Sequence, residues 1–297
     1  MAQETKSEKF AYEFEQPVRE LDERIEELRH RAAEEARDFS DEIKDLQQER
    51  DEKLEAIFSS LSAYQRIKLA RHPLRPQSLD YADIIFDDFI ELHGDRRFGD
   101  DKAIVTGLAR LQGRRVMVVA QQKGKEVQEK KKRNFGMPEP EGYRKALHKM
   151  QMAEKFSLPV ICLIDTPGAA PSVGAEERGQ GMAIAENIFK MAGLRTPLLG
   201  VVVGEGCSGG ALGVGVVDRL GMMENAYFSV ISPEGCAAIL WKDRDKAPEA
   251  ARALRLTAPH MQEQGIADSI IDEPLGGAHR DPETAASRLR DYLVETL

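Results

Sequence analysis

Between residues 15 and 70 the apolar side chains recur at helical intervals. Val18, Leu21, Ile25 and Leu28 follow one another at steps of 3, 4 and 3, and Ile43, Leu46, Leu54, Ile57 and Leu61 continue at compatible spacings. Such spacing lays them along one stripe of a helix, the signature of an amphipathic pair with coiled-coil character. The stretch contains no glycine, and Pro17 near its start is its only proline. The apolar phase slips around residues 38–40, where Asp38 and Ser40 can cap a second helix. The pattern therefore predicts an antiparallel helical hairpin with a charged, solvated outer face. Arg71-His72-Pro73-Leu74-Arg75-Pro76 then interrupts it. We place the hairpin at 1–72 and a second domain at 73–297.

Beyond that break the texture changes to short apolar runs alternating with helical patterns. Strands are predicted at 103–111, 116–121, 159–165, 198–203 and 227–231, and helices at 141–156, 175–191, 209–217 and 234–240. This is α/β or α+β texture, and periodicity leaves open whether the sheet is doubly wound or a ββα spiral.

Charge and cysteine usage narrow the function classes. With 42 Lys+Arg against 51 Asp+Glu the net charge is −9, which argues against a nucleic-acid coat protein. A local basic island could still hold a phosphorylated small molecule. No apolar run approaches the ~20 residues of a membrane helix, and the polar start lacks a signal-peptide core, so a cytoplasmic protein without membrane association is expected. Cys162, Cys207 and Cys236 lie far apart with no C-x-x-C pair, which excludes a zinc ribbon within this chain. Cys162 and Cys236 sit in apolar runs and are expected to be buried small hydrophobes in a reducing compartment.

Three clusters carry candidate chemistry. The first is Asp165-Thr166-Pro167-Gly168 after an apolar strand. It resembles a GTPase element, but Val119 stands where a phosphate loop ending in Gly124-Lys125 would need its first glycine, and that function is excluded. The second is Gly204-Glu205-Gly206-Cys207-Ser208-Gly209-Gly210-Ala211-Leu212, where a strand runs into glycines that open a helix. The first N–H groups of a helix are unpaired and its dipole favours an anion there, while glycine lets a ligand approach the backbone. A tight packed turn would explain the glycines alone equally well. The same string matches G-x-S-x-G, so Ser208 with Asp268 and His279 forms a rival hydrolase arrangement. Otherwise Ser208 is a helix N-cap and Gly209 and Gly210 form an oxyanion hole. The third cluster is basic: Lys123 and Lys125, then Lys130-Lys131-Lys132-Arg133, leading into a Gly/Pro-rich loop. It is either a solvated surface or a site for a phosphate tail.

From His72 onward the chain strongly resembles the α subunit of the bacterial acetyl-CoA carboxylase carboxyltransferase family. The resemblance is carried by long strings: Asp100-Asp101-Lys102-Ala103-Ile104-Val105, residues 133–138 with Pro140-Glu141-Gly142-Tyr143-Arg144-Lys145, Ala175-Glu176-Glu177-Arg178-Gly179-Gln180, Ser229-Val230-Ile231-Ser232-Pro233-Glu234-Gly235-Cys236, and Gly276-Gly277-Ala278-His279-Arg280. It implies a crotonase (ClpP-like) fold of ββα units behind the hairpin. It implies transfer of a carboxyl group from carboxybiotin, delivered by a biotin carboxyl carrier protein, to acetyl-CoA, giving malonyl-CoA for fatty-acid synthesis. Implied partners are a β subunit with a zinc ribbon in an α2β2 assembly, and an ATP-using biotin carboxylase. This chain would hold no covalent cofactor and no metal. Gly209 and Gly210 would then stabilise the biotin-side oxyanion, the β subunit supplying donors for the thioester enolate. Gly168, Ala169, Gly206 and Ser208 would line the cleft, with Lys123, Lys125 and Arg133 as candidates for CoA phosphates or the carboxylate. The chain departs from the family pattern at Ala170, Ser172, Cys207, Gln121 and Met182, where Tyr, Gly, Gly, His and Glu are usual. A divergent enzyme for another short acyl-CoA, or a non-catalytic acyl-CoA-binding scaffold, are the alternatives.

Overall fold

The structure is a computed structural model and describes residues 12–35 and 37–297. Helices α1 (Gln16–Glu35) and α2 (Ser40–Phe58) form the expected hairpin, bridged by Arg50–Asp22 and Arg24–Glu42 pairs. Leu21, Ile25, Leu28, Phe39 and Leu46 are buried in its seam. The Asp38 carboxylate accepts the Ser40 N–H at 2.9 Å, which stops one helix and starts the next. A third helix, α3 (Ala63–Ala70), opens on a capping box between Ser62 and Gln65, and α4 (Ser78–Ile85) follows.

The rest is built on one eight-stranded sheet. Its strands are β1 (Asp87–Glu91), β2 (Ile104–Leu111), β3 (Arg114–Gln121), β4 (Val160–Thr166), β5 (Leu198–Cys207), β6 (Arg219–Met223), β7 (Tyr227–Ser229) and β8 (Ser269–Ile271). They run β1-β2-β3-β4-β5-β6-β8, with β7 paired to the far end of β5. β1 to β3 form an antiparallel meander, turned at Gln112 and Gly113 with φ 46 and 81. All pairings from β3 onward are parallel. Parallel strands need crossovers, and helices α5 (Val127–Lys132), α6 (Pro140–Lys155), α7 (Val173–Glu177), α8 (Gln180–Met191), α9 (Ser208–Gly215), α10 (Pro233–Leu240), α11 (Ala247–Leu254), α12 (Ala258–Glu263) and α13 (Pro282–Thr296) supply them or flank the sheet. β4 and β5 are buried along their whole length, as central parallel strands require.

The site depends on an irregularity in β5. Ile164 pairs with Val202 but Thr166 with Gly206, so β5 carries two extra residues there (four steps against two). Side chains satisfy the backbone groups this bulge frees. Asp165 Oδ1 accepts the Glu205 N–H at 2.9 Å, and the Val203 carbonyl accepts Arg75 Nε at 2.9 Å. Beyond the bulge β5 leaves β6 and pairs with β7, carrying Gly206 to Gly210 to the edge of the sheet.

Several elements differ from the sequence expectation. The helix expected at 175–191 is two, because Gly179 at φ 84 breaks it between α7 and α8. The strand expected at 198–203 runs on to Cys207, and the one at 227–231 ends at Ser229. β1, β6 and β8 are additional, the last only three residues long. No helix among the described residues is long and apolar enough to cross a membrane.

Candidate active site

At the carboxyl ends of β4 and β5 two backbone segments face each other. Thr166 Oγ1 accepts the Gly168 N–H at 3.1 Å and donates to the Gly136 carbonyl at 2.6 Å. The Ala170 N–H reaches the Pro138 carbonyl at 3.0 Å, which pins the loop from its other side. Gly168 sits at φ 143, which favours glycine. Opposite, α9 begins directly after β5. A Cβ on Gly210 would lie 2.5 Å from the Gly168 carbonyl carbon and 2.6 Å from the Ala169 nitrogen. Gly210 is therefore glycine because the two backbones touch. A Cβ on Gly209 would meet only Ile184, at 3.6 Å, and that glycine is under no such constraint. Gly206 is glycine for another reason, since its Cβ would lie 2.5 Å from the Phe228 ring.

The N–H groups of Gly209 and Gly210 stand in the first turn of α9, where no intrahelical acceptor exists. Ser208 does not cap this helix as expected. The N-cap is Cys207, and Ser208 adopts φ 59, a left-handed conformation unusual for a residue with a side chain. The hydrolase arrangement also fails. His279 bonds Glu15 at 2.9 Å and stacks on His72 with ring centres 4.0 Å apart, while Asp268 takes Arg219 and the Leu220 N–H. Cys207 is buried, and burial pushes its thiol up to about 11, so it stays protonated at neutral pH. Cys162 and Cys236 are buried and free, as expected.

Beside this start lies a pocket of about 310 Å³, lined by Arg71, Arg75, Lys123, Lys125, Lys130 and Phe135, with Asp165 and Glu205 at its floor. Its charges are largely paired internally. Lys123 Nζ contacts Asp165 Oδ1 at 2.8 Å and Glu205 Oε2 at 3.1 Å. Arg71 binds Glu205 Oε1 at 2.7 Å and Glu234 at 2.8 Å, and Tyr227 donates to Glu205 at 2.7 Å. Burial alone would lift the Glu205 carboxyl, yet Lys123 and Arg71 hold it down at about 2. Burial would likewise lower the Lys123 ammonium, but its two carboxylates leave it above the ordinary lysine value. Burial, seconded by the Glu205 charge, raises Asp165. Lys125 reaches Asp80 at 2.6 Å, and Arg133 bonds Glu129 and the Lys102 carbonyl away from this pocket. The structure thus sets Gly210 against Gly168 and Ala169, with Gly206, Ser208 and Gly209 beside it along the chain, puts Lys123 and Lys125 in the lining of the pocket, and leaves Arg133 out of that lining.

A family model described as acetyl co-enzyme A carboxylase carboxyltransferase-like matches residues 11–297. The chain belongs to that family. The acetyl-coenzyme A carboxylase carboxyl transferase subunit alpha of Methylococcus capsulatus is 56% identical over 285 residues, covering 96% of this chain and 89% of that protein. The protein of the same name from Pseudomonas aeruginosa is also 56% identical, with 96% and 90% covered. Solved structures under 25% identical agree in fold. A transcarboxylase 12S chain gives a TM-score of 0.58 at 23% identity over 74% of this chain, and the β subunit of P. aeruginosa geranyl-CoA carboxylase gives 0.58 at 19% over 79%. This chain spans 42% and 44% of those two, less than half of each. A Pseudomonas malonate decarboxylase hetero-tetramer matches with a TM-score of 0.56 at 18% identity, covering 68% of this chain and 81% of that one. The fold is the crotonase-type architecture of carboxyltransferases.

Within this carboxyltransferase-family chain, two positions singled out from the sequence have plain structural roles. Ala170 is buried, and Ser172 caps α7 by accepting the Ala175 N–H at 3.1 Å. Sequence reasoning missed that polar side chains hold α9 from behind: Gln121, noted there only as a departure from the family pattern, with Tyr143 and Asn187. The segment from Arg71 to Pro76 breaks the helix as expected, but sequence reasoning missed that its Arg71 and Arg75 reach the sheet. Val173 on α7 and Met182 and Phe189 on α8 are exposed apolar side chains.

Proposed function

We propose that this chain is the carboxyltransferase α subunit that moves a carboxyl group from carboxybiotin to acetyl-CoA, forming malonyl-CoA. Family membership at 56% identity supports the activity. The observation that carries the site is the pair of unpaired first-turn amides at Gly209 and Gly210, set against Gly168 with no charged side chain between them. Carboxybiotin supplies the carboxyl group as a substrate on a separate carrier protein. When it gives up that group, negative charge develops on an oxygen, and two preorganised N–H donors stabilise it without reorganising. A donor of this kind is worth about 3–4 kcal/mol in the transition state.

Among the described residues no side chain set at Gly168 and Gly210 is a general base, which fits a reaction whose proton acceptor is on the substrate side. The second pair of donors, for the thioester enolate, belongs to a β subunit bearing a zinc ribbon, in an α2β2 assembly. The exposed apolar side chains of Val173, Met182 and Phe189 suit a protein partner, since exposed apolar patches mark interaction sites. Lys123 and Lys125 border the pocket; Lys123 is paired with Asp165 and Glu205, so the exposed Lys125 is the one placed to reach a phosphate or carboxylate. Biotin carboxylase and the carrier protein complete the assembly, in the cytoplasm.

Mixing the chain with its β partner, carboxylated carrier protein and acetyl-CoA should yield malonyl-CoA, with none formed when the β partner is left out. Robust transfer by this chain alone, or none from the complete mixture, overturns the proposal.

A further inference from the structure

An oxyanion site works only if its donors do not move, and α9 is a poor helix to give that task. Four of its eight residues, Gly209, Gly210, Gly213 and Gly215, are glycine. Glycine has the lowest helix propensity after proline, because it surrenders the most backbone freedom. Its own sequence therefore cannot keep the first turn rigid.

Three buried side chains reach its carbonyls from outside. Gln121, the last residue of β3, donates from Nε2 to the Gly210 carbonyl at 2.8 Å. Tyr143 on α6 donates its hydroxyl to the same oxygen at 3.3 Å. Asn187 on α8 donates from Nδ2 to the Gly213 carbonyl at 2.8 Å and to the Tyr143 carbonyl at 3.0 Å. All three are fully buried. Packing adds to this, since a Cβ on Gly213 would lie 2.5 Å from the Tyr143 ring. The Gln121 Oε1 atom is buried with no partner, so this glutamine is retained in the core for its N–H alone.

We propose that Gln121, supported by Tyr143 and Asn187, is a positioning residue that braces the start of α9 and keeps the Gly209 and Gly210 amides aimed at the reacting oxygen. It touches no substrate and acts through the helix. This rests on the carboxyltransferase proposal above for its kinetic consequence, and on hydrogen-bond geometry alone for its structural one.

Two variants test it in the complex with the partner subunit. Gln121→Met keeps the side chain's length and removes the donor; Gln121→His restores a buried N–H. In the Met variant kcat should fall about tenfold, the reach of one net hydrogen bond. KM for both substrates should stay within about twofold, the pattern of an interaction lost only in the transition state. The His variant should recover most of the rate. Amide exchange across residues 212–215, whose N–H groups bond the first-turn carbonyls, should quicken in the Met variant and return towards wild type in the His variant. Unchanged rate and exchange in Gln121→Met, or equal losses in both variants, overturn the proposal. If the wild-type complex transfers no carboxyl group, the functional proposal fails and the exchange comparison still decides the brace.

Discussion

Glu205 and Gly210 stand on the same strand-to-helix connection, and their surroundings handle charge in opposite ways. Around Glu205 the charges are formal, buried and matched: Lys123 lies between Asp165 and Glu205, and Arg71 closes the far side. Around Gly210 the partners are neutral: peptide dipoles fixed by backbone contact with Gly168, and the Gln121 and Tyr143 donors on its carbonyl. A fixed carboxylate beside a developing oxyanion would oppose the charge that has to form. A cation there would be free to pair with a neighbour instead. Matching the ions among themselves leaves the helix start as the local source of positive potential, which is the preorganised arrangement that transition-state stabilisation needs.

The largest expected effect breaks the ionic side. Lys123→Met leaves Asp165 buried without its ion pair and Glu205 with Arg71 as its remaining cation, and should destabilise the fold by about 3–5 kcal/mol. Urea unfolding reads this, and an unchanged midpoint would show the cluster is not a closed unit. Next comes the dipolar side. Gly210→Ala puts a carbon 2.5 Å from the Gly168 carbonyl carbon, so the loop and the amide cannot both keep their places. Turnover in the complete complex should drop about 10²-fold, the loss typical of one oxyanion donor. A rate within a factor of two of wild type would separate the glycine from catalysis.

Acid should act on the ionic side alone. Glu273 is buried, which opposes its ionisation, yet Arg75, Asn225 and the Ala278 N–H hold it at about 2 against an ordinary 4.5. Glu205 has the same sign and also lies at about 2. Their contribution is complete above the ordinary glutamate range and is lost as the pH falls through it towards 2. Asp165, raised by burial, works in the opposite sense and offsets part of the loss. Unfolding midpoints should decline once the pH falls below the ordinary glutamate range towards 2; a rise across that window contradicts the pairing. The smallest effect is expected of Gly209→Ala. Its Cβ meets only Ile184 at an ordinary 3.6 Å and its N–H survives, so activity should stay within about threefold, less than one net hydrogen bond.

The contrast also explains what was legible in the sequence. The hairpin could be read because Leu21, Ile25 and Leu28 repeat at a helical period with local partners. β2 to β5 could be read as runs of buried apolar residues, and the α9 start because glycines after a strand have few physical explanations. The extension of β5 through Gly204 could not, since Gly-x-Gly reads locally as a turn. Only the fold reveals that a Gly204 Cβ would lie 2.6 Å from Asp165 Oδ1. β1 is a charged edge strand and β8 is three residues long, too little for a periodic signal. The partners of Lys123 lie 42 and 82 residues away (165 − 123 and 205 − 123), so a basic residue that read as a ligand contact turned out to be bonded to distant carboxylates. Position along the chain carries the backbone chemistry well and the ionic chemistry poorly.

The grip of Arg75 on the β5 bulge also sets an order of events at the ribosome. Arg75 donates to the Val203 carbonyl and to Glu273, which is synthesised 198 residues later. At typical elongation rates that interval is roughly ten to forty seconds. Through it the arginine lacks its Glu273 partner, and the bulge's firm hold is the Asp165 bond alone. Until Glu273 emerges, the arginine that holds the Val203 carbonyl stands without that carboxylate behind it, so the bulge should reach its final rigidity only near the end of synthesis.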